Sequence, residues 1–263
     1  MQQNIHGGDI YSRQIRLAAA LTEAVSRMLS GECGREIPKE YLLFGNGASE
    51  LFLAVVHALK PRNIVIPVPS FYGYEYVAEA AGSYIKYVYL PEETGFRPGR
   101  ELLQELTADT DMLFVANPNN PTGQLMGREY LQELLEHCRQ QGITVVVDEC
   151  FIEFCESGRE QPKFLLGEIG QYEKLLLVRA FTKSFAMPGV RLGYLVCSNA
   201  ELREKIRRQL PEWNLSVFAQ RAGIACAEQS EQYLQDTVEY VKNEREYLWE
   251  GLEKLGIRVV SGE

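Results

Sequence analysis

The chain has 263 residues, of which 46% are hydrophobic and 24% are charged, and its formal net charge is −9. This length is enough for one large domain with a substantial core. The acidic balance disfavours a surface that binds nucleic acid. No apolar run approaches the roughly 20 residues that span a bilayer, and the beginning "MQQNIHGGDIYS" lacks the features of a secretion signal. We therefore expect a cytoplasmic protein without membrane partners.

The six cysteines form no CxxC pair, and only three histidines are present. Cys150 and Cys155 are too far apart for a common zinc knuckle. Reduced cysteines are the ordinary state in the cytoplasm. The sequence therefore predicts no metal site.

Apolar periodicity alternates between helical and strand patterns along the chain. A helix is expected from about Arg13, with Leu17, Leu21 and Val25 on its apolar face. The predicted strands are "YLLF", "NIVIPV", "YIKYVYL", "DMLFVANP", "ITVVVDE", "KLLLVRAF" and "LGYLVC", and helical segments lie between most of them. A long amphipathic helix is predicted for 231–255, and a last strand for "IRVV" at 257–260.

Strands that alternate with helices and are rich in Val, Ile and Leu predict an α/β fold with a mostly parallel sheet covered on both faces. Ligands of such sheets bind beyond the carboxyl ends of the strands. The polar residues that follow each strand are therefore the candidates for a functional site.

Two turns at strand ends have unusual composition. "GNGASE" at 45–50 follows the first strand and opens a helix, so it is either a seat for a phosphate or an ordinary turn. "NPNNPTG" at 117–123 contains two prolines and three asparagines. It is either a rigid recognition turn or a structural loop.

Three charged residues follow or flank later strands. Asp148 comes at the end of "ITVVV", where a carboxylate is costly unless it is paired. It either makes an ion pair or cap within the protein or meets a cationic nitrogen of a ligand. Lys183 is either an exposed loop residue or a buried nucleophile able to form a Schiff base. Arg191 is either a surface ion pair or a phosphate clamp.

Together these features match a pyridine ring that bears a phosphate, an aldehyde, a hydroxyl and a ring nitrogen. From Gly45 to Tyr194 the chain resembles the fold-type I enzymes that use pyridoxal 5'-phosphate (PLP), the class I/II aminotransferases. The resemblance implies that Lys183 is the catalytic residue and holds PLP as a Schiff base. It assigns the remaining cofactor contacts to Ala48, Ser49, Phe71, Asn120, Asp148, Thr182 and Arg191.

The resemblance also implies a role for each of these residues in binding the cofactor. Ala48 and Ser49 would hold the phosphate at the helix start, with Thr182 and Arg191 adding contacts. Phe71 would stack on the ring, Asn120 would bond the ring hydroxyl, and Asp148 would keep the ring nitrogen protonated. Phe151, in "DECF", replaces a tyrosine that many relatives place near the ring hydroxyl.

Two branches of the family fit the sequence. "NPNNPTG" and "VVVDE" are shared with histidinol-phosphate aminotransferases. "HGGDIY" and "FTKSFAMPGVRLGY" are more similar to threonine-phosphate decarboxylases, which implies decarboxylation of L-threonine O-3-phosphate to (R)-1-amino-2-propanol phosphate for cobalamin synthesis. In that case His6 and Asn120 would contact the phosphorylated substrate. A homodimer is expected by the same resemblance.

The resemblance also implies a domain organisation: an N-terminal arm over the active site at 1–12, a large PLP-binding domain at 13–228, and a long helix with an incomplete small domain at 229–263. Relatives carry "NINPLG"-like and "YPD" motifs that are missing after Ser12, and the small domain usually supplies an arginine for the substrate carboxylate. Two other interpretations stay open, a non-catalytic protein with the PLP fold and a generic nucleotide-binding α/β protein.

Overall fold

The computed structural model describes residues 7–155, 161–260 and 262. Seven strands form one sheet in the order β1-β7-β6-β5-β4-β2-β3. They are β1 (Leu42–Gly45), β2 (Asn63–Val68), β3 (Tyr84–Tyr89), β4 (Met112–Ala116), β5 (Thr144–Asp148), β6 (Leu175–Ala180) and β7 (Gly193–Val196). The seven strands predicted from apolar runs before residue 200 are confirmed. The eighth is wrong, because residues 257–260 form no strand.

Ten α-helices are described, some of a single turn. They are α1 (Gly7–Cys33), α2 (Ala48–Leu59), α3 (Gly73–Ala80), α4 (Arg100–Glu105), α5 (Arg128–Gln141), α6 (Gln161–Glu168), α7 (Phe181–Ser184), α8 (Ala200–Arg207), α9 (Val217–Glu228) and α10 (Ser230–Lys254). The first helix begins at Gly7 rather than near Arg13, so residues 7–12 belong to this helix. The predicted long helix near the end is confirmed as α10.

The sheet is mostly parallel and covered on both faces, as predicted. One face packs against α1, α5, α6 and α9 through residues such as Leu21, Leu134 and Leu165. The other packs against α2, α3 and α8 through residues such as Phe52, Val77 and Ile206. In the described part of the chain, no helix combines the length and the apolar character needed to cross a membrane.

The strand β7 is antiparallel to both of its neighbours, β1 and β6. In the register, Gly193 at the start of β7 lies opposite Gly45 at the end of β1 and opposite Ala180 at the end of β6. The segment that precedes β7 therefore meets the carboxyl ends of its neighbours. This reversal brings Arg191 to the edge at which Asp148 and Lys183 also lie.

A buried arginine connects the sheet to α1. Arg179 is fully buried in β6, and its Nε donates to Glu149 Oε2 at 2.8 Å. Its Nη1 donates to both carboxylate oxygens of Glu32 at 2.9 Å. Glu149 therefore has a structural, paired role. Arg179 itself was not singled out, although a charge inside the apolar run "LLLVRAF" is a signal for such a pair.

Replacement of Arg179 by methionine should lower the free energy of unfolding by about 3–5 kcal/mol, because it leaves two carboxylates without their buried partner. Denaturant titration measures the change. Arg207→Met, at an exposed pair with Glu204, is the matched control and should leave the midpoint nearly unchanged. Equal midpoints for both variants would show that the buried pair adds no stability.

Candidate active site

The turn at the end of β1 is held rigidly by side-chain hydrogen bonds. Asn46 donates its backbone N–H to Glu50 Oε2 at 2.7 Å and its Nδ2 to the carbonyl of Asn214 at 2.9 Å. Asn214 in turn donates to the carbonyl of Phe44 at 2.9 Å. Glu50 therefore has a structural role in this turn. These bonds fix the point at which α2 begins.

The N-terminus of α2 is open to a ligand. The helix starts at Ala48, and its N-cap residue is Gly47, which provides no capping side chain. The first N–H groups of a helix have no partner within it, and they carry the positive end of the helix dipole. Ser49 in the first turn is exposed. Such a start is a good seat for an anion.

Arg191 lies directly over this helix start. Its Nη2 donates to the carbonyl of Asn46 at 3.3 Å and its Nη1 to the carbonyl of Pro188 at 3.2 Å. A Cβ atom added at Gly47, where φ is +81°, would lie 2.4 Å from Arg191 Nη2. The guanidinium and the free N–H groups of α2 therefore form one positively polarised cradle, which suits a phosphate.

Gly193 sets the distance between β7 and the cradle. A Cβ atom at this position would lie 2.7 Å from the carbonyl carbon of Gly47 and 2.9 Å from the backbone nitrogen of Ala48. Both contacts are to backbone atoms, so a side chain here would push the two segments apart. Only glycine allows this approach.

Asp148 stands at the end of β5 with a donor on each carboxylate oxygen. Oδ1 accepts from the backbone N–H of Cys150 at 2.9 Å, and Oδ2 accepts from the hydroxyl of Tyr74 at 2.7 Å. Burial raises the pKa of Asp148, and these hydrogen bonds oppose the rise. Within the described part of the chain, Asp148 makes no ion pair. A half-buried carboxylate without a cation favours the binding of a positively charged group.

Lys183 lies in α7, the short helix that follows β6. Its side chain is exposed, so the alternative of a buried lysine is wrong and its reactivity cannot rest on burial. The Nζ atom is 5.6 Å from the centre of the Phe151 ring. Among the described residues, Lys183 has no ion-pair partner. Its amine is therefore available to a ligand in the cleft.

The positions of Asp148 and Lys183 are linked through Cys150. Burial raises the pKa of the Cys150 thiol well above its ordinary value, the charge of Asp148 raises it further, and the charge of Lys183 lowers it. Both charged groups are thus close to the same buried thiol. The carboxylate and the amine face one region at the carboxyl ends of β5 and β6.

The three asparagines of the "NPNNPTG" turn have different roles. Asn117 Oδ1 accepts from the backbone N–H of Met126 at 2.8 Å, and Asn119 donates to the carbonyl of Pro69 at 2.9 Å. Both side chains are buried and hold the turn. Asn120 is half-buried and makes no hydrogen bond to the described residues. With Phe151 it lines a cavity of about 350 Å³.

Phe71 and Tyr74 form the aromatic wall near Asp148. The ring centres are 5.6 Å apart with an angle of 81° between the planes. Tyr74 is fully buried, and its ring packs in the hydrophobic core. Its hydroxyl donates to Asp148. The sequence pattern did not predict this hydrogen bond.

The roles of Thr182 and His6 stay predictions. Thr182 is buried next to Lys183, and its contact with a phosphate stays a prediction. His6 lies outside the described residues. No group of His, Cys, Asp or Glu that could hold a metal ion is found among residues 7–155, 161–260 and 262.

Comparison with known proteins identifies the family. The model of the Aminotransferase class I and II family matches residues 6–263. The chain belongs to this family, whose members use PLP. The interpretation as a generic nucleotide-binding protein is therefore set aside.

Similar curated proteins come from both predicted branches. The chain is 33% identical over 227 residues to the threonine-phosphate decarboxylase of Salmonella typhimurium, covering 86% of this chain and 60% of that protein. It is 32% identical over 235 residues to a histidinol-phosphate aminotransferase of Clostridium kluyveri, covering 89% and 63%. The chain thus spans about six-tenths of the length of these relatives.

Solved structures agree with the fold. The histidinol-phosphate aminotransferase of Clostridium acetobutylicum superposes with a TM-score of 0.79 at 31% identity, covering 92% of this chain and 70% of that one. An aspartate aminotransferase double mutant of Thermus thermophilus gives a TM-score of 0.83 at 26% identity, covering 93% and 65%. The prediction of a fold-type I structure is confirmed.

Gly193→Ala should lower the free energy of unfolding by about 1–3 kcal/mol, because the added methyl group overlaps backbone atoms that cannot move aside cheaply. Thermal and denaturant unfolding measure the loss. Gly189→Ala is the control, since nothing lies within 4 Å of a Cβ atom at that position. If the two variants are equally stable, β7 does not approach the helix start as closely as described.

Proposed function

We propose that this chain binds PLP at the carboxyl ends of β5, β6 and β1 and acts on a small phosphorylated amino compound. The observation that carries the proposal is Asp148, a half-buried carboxylate with a donor on each oxygen and no cation among the described residues. Each of its oxygens retains a lone pair for a further donor. A protonated ring nitrogen supplies that donor and the missing positive charge.

The other contacts fit the remaining parts of the cofactor. The start of α2, with Ala48 and Ser49, and the guanidinium of Arg191 would hold the phosphate. The free amide of Asn120 would bond the ring hydroxyl, and the exposed amine of Lys183 would attach the aldehyde. Phe71 would cover one face of the ring. Thr182 is proposed as an additional phosphate contact.

The protein residues then control where protons are held. When bound, PLP supplies an electron sink for the bond that breaks at the substrate Cα. Asp148 holds the proton on the ring nitrogen, which the sink requires. Lys183 is the general acid and base, and in a decarboxylation it delivers a proton to Cα after CO₂ has left.

We propose decarboxylation of L-threonine O-3-phosphate to (R)-1-amino-2-propanol phosphate, a step of cobalamin biosynthesis, as the reaction of the whole protein. The "HGGDIY" motif and the lysine motif "FTKSFAMPGVRLGY" support this choice, and so does the similarity to the Salmonella decarboxylase. His6 and Asn120 would contact the substrate. We further propose that the protein is a cytoplasmic homodimer.

A second candidate is amino transfer from histidinol phosphate to 2-oxoglutarate. The "NPNNPTG" turn and the similarity to the Clostridium kluyveri aminotransferase favour it. In that reaction Lys183 would take the proton from Cα and deliver it to the cofactor. Both reactions use the same cofactor contacts, so they differ in the bond that the substrate presents.

The test combines PLP with L-threonine phosphate and measures CO₂ and the amino-alcohol phosphate. We expect product, and we expect Lys183→Ala to reduce its rate by at least about 10³-fold, within the range of general acid–base catalysis. Lys205→Ala, on the exposed surface of α8, is the control and should retain full activity. Transfer of the amino group from histidinol phosphate without CO₂ release would select the second candidate.

Attachment of the cofactor is measured separately. Borohydride reduction should fix PLP on the peptide that contains Lys183, as read by mass spectrometry. If PLP is fixed there but neither reaction occurs, the substrate proposals fail and the cofactor site stands. If PLP is not fixed on Lys183, the proposed function is wrong, and a non-catalytic protein with this fold is the remaining interpretation.

A further inference from the structure

The hydroxyl of Tyr74 has Asp148 as its hydrogen-bond acceptor. It donates to Oδ2 at 2.7 Å, while the other carboxylate oxygen is held by the backbone of Cys150. Burial and the nearby Asp148 raise the pKa of Tyr74 well above its ordinary value. The hydroxyl therefore stays protonated over the whole useful pH range and remains a donor.

The ring of Tyr74 is fixed by three aromatic neighbours. It stacks on Phe114 with ring centres 5.3 Å apart and planes inclined by 10°. Phe52 and Phe71 meet it edge-on at 5.4 Å and 5.6 Å. A ring packed in this way cannot turn its hydroxyl elsewhere, so the donor is preorganised. The backbone N–H of Cys150 is fixed equally well by the end of β5.

The other titratable groups near Asp148 come from a few elements. Glu149 and Cys150 follow it in the chain, Tyr74 lies on α3, and Lys183 lies on α7. Burial favours the neutral form of Glu149, and the thiol of Cys150 stays protonated. The thiol and backbone N–H of Cys150 and the hydroxyl of Tyr74 all favour the charged form of Asp148. Tyr74 is the one of these donors that comes from a distant part of the chain, and it donates to Oδ2.

We propose that Tyr74 is a positioning residue for the cofactor, because its hydroxyl keeps the Asp148 carboxylate ionised and aimed at the ring nitrogen. This inference rests on the proposed role of Asp148 toward PLP. Burial alone favours the neutral acid, which cannot hold a proton on the ring nitrogen. The hydroxyl offsets that cost, and it also ties Asp148 to the aromatic wall that contains Phe71.

The affinity for PLP should depend on pH through the ionisation of Asp148. The ionised form of Asp148 binds the ring, so affinity for PLP is present above the pKa of Asp148 and is lost as the pH falls through it. Removal of the hydroxyl takes away a hydrogen bond to the charged form, and the pKa rises. A hydrogen bond to a charged group corresponds to about one pH unit.

The test measures the affinity for PLP by absorbance titration across a series of pH values in the parent protein, Tyr74→Phe and Tyr172→Phe. Tyr172 is a matched control, since it is also a buried tyrosine whose hydroxyl is hydrogen-bonded, to the carbonyl of Ile143. The acid midpoint is the pH at which the affinity for PLP has fallen by half. We expect this midpoint to be about one pH unit higher in Tyr74→Phe than in the parent protein. At pH values between the two midpoints, Tyr74→Phe should bind PLP up to about 10-fold more weakly than the parent protein. Tyr172→Phe should have the same pH dependence as the parent.

Circular dichroism establishes that each variant is folded. Tyr74→Met, with an adaptable side chain, is a second variant that lacks the hydroxyl, and either folded variant is sufficient. Coincident midpoints for the parent and a folded Tyr74 variant would overturn the positioning role while the cofactor site stands. If the parent itself binds no PLP, the proposed function fails, and this inference fails with it.

Discussion

The reversed direction of β7 is the constraint on which the candidate site depends. In a purely parallel sheet, the residues before a strand lie at the opposite edge from the residues after its neighbours. Because β7 is antiparallel, Arg191 before it reaches the same edge as Gly47 after β1 and Lys183 after β6. The close backbone approach at Gly193 then brings β7 against the start of α2. Without the reversal, the arginine and the helix start could not form one cradle.

Electrostatics divides this edge into two parts. The cradle presents a guanidinium and free N–H groups, so it is positively polarised and open to solvent. Two strands from β7, at the end of β5, Asp148 presents a half-buried carboxylate whose hydrogen bonds oppose the rise in pKa that burial causes. A ligand with an anionic group and a protonated ring nitrogen complements both parts at once. The buried pairing of Arg179 with Glu149 and Glu32 lies beneath this edge and connects it to α1.

Much of the framework could be predicted from the sequence. Continuous apolar runs marked the seven strands, and the polar residues just after them indicated which edge carries the site. The direction of β7 could not be read from a run of four buried residues, because the apolar pattern is the same in either direction. The strand predicted at 257–260 failed because an apolar run becomes a strand only where a neighbouring strand can pair with it.

The individual side chains were predicted less completely. Lys183, Asp148 and Asn120 were predicted as site residues from their type and position, but the exposure of Lys183 was not, since it depends on what packs over α7. The hydrogen bond from Tyr74 to Asp148 was not predicted, because the ring of Tyr74 lies in the core and only its hydroxyl reaches Asp148. Arg179 was overlooked because its two partners are distant in sequence, at Glu32 on α1 and Glu149 after β5.

The most direct test of this account is the ratio of the affinities for PLP and for pyridoxal, which lacks the phosphate. The cradle predicts that the parent protein binds PLP much more tightly, and that Arg191→Gln loses most of this preference while its affinity for pyridoxal is unchanged. A preference for PLP that survives in Arg191→Gln would contradict the role of the reversed strand in building the phosphate seat.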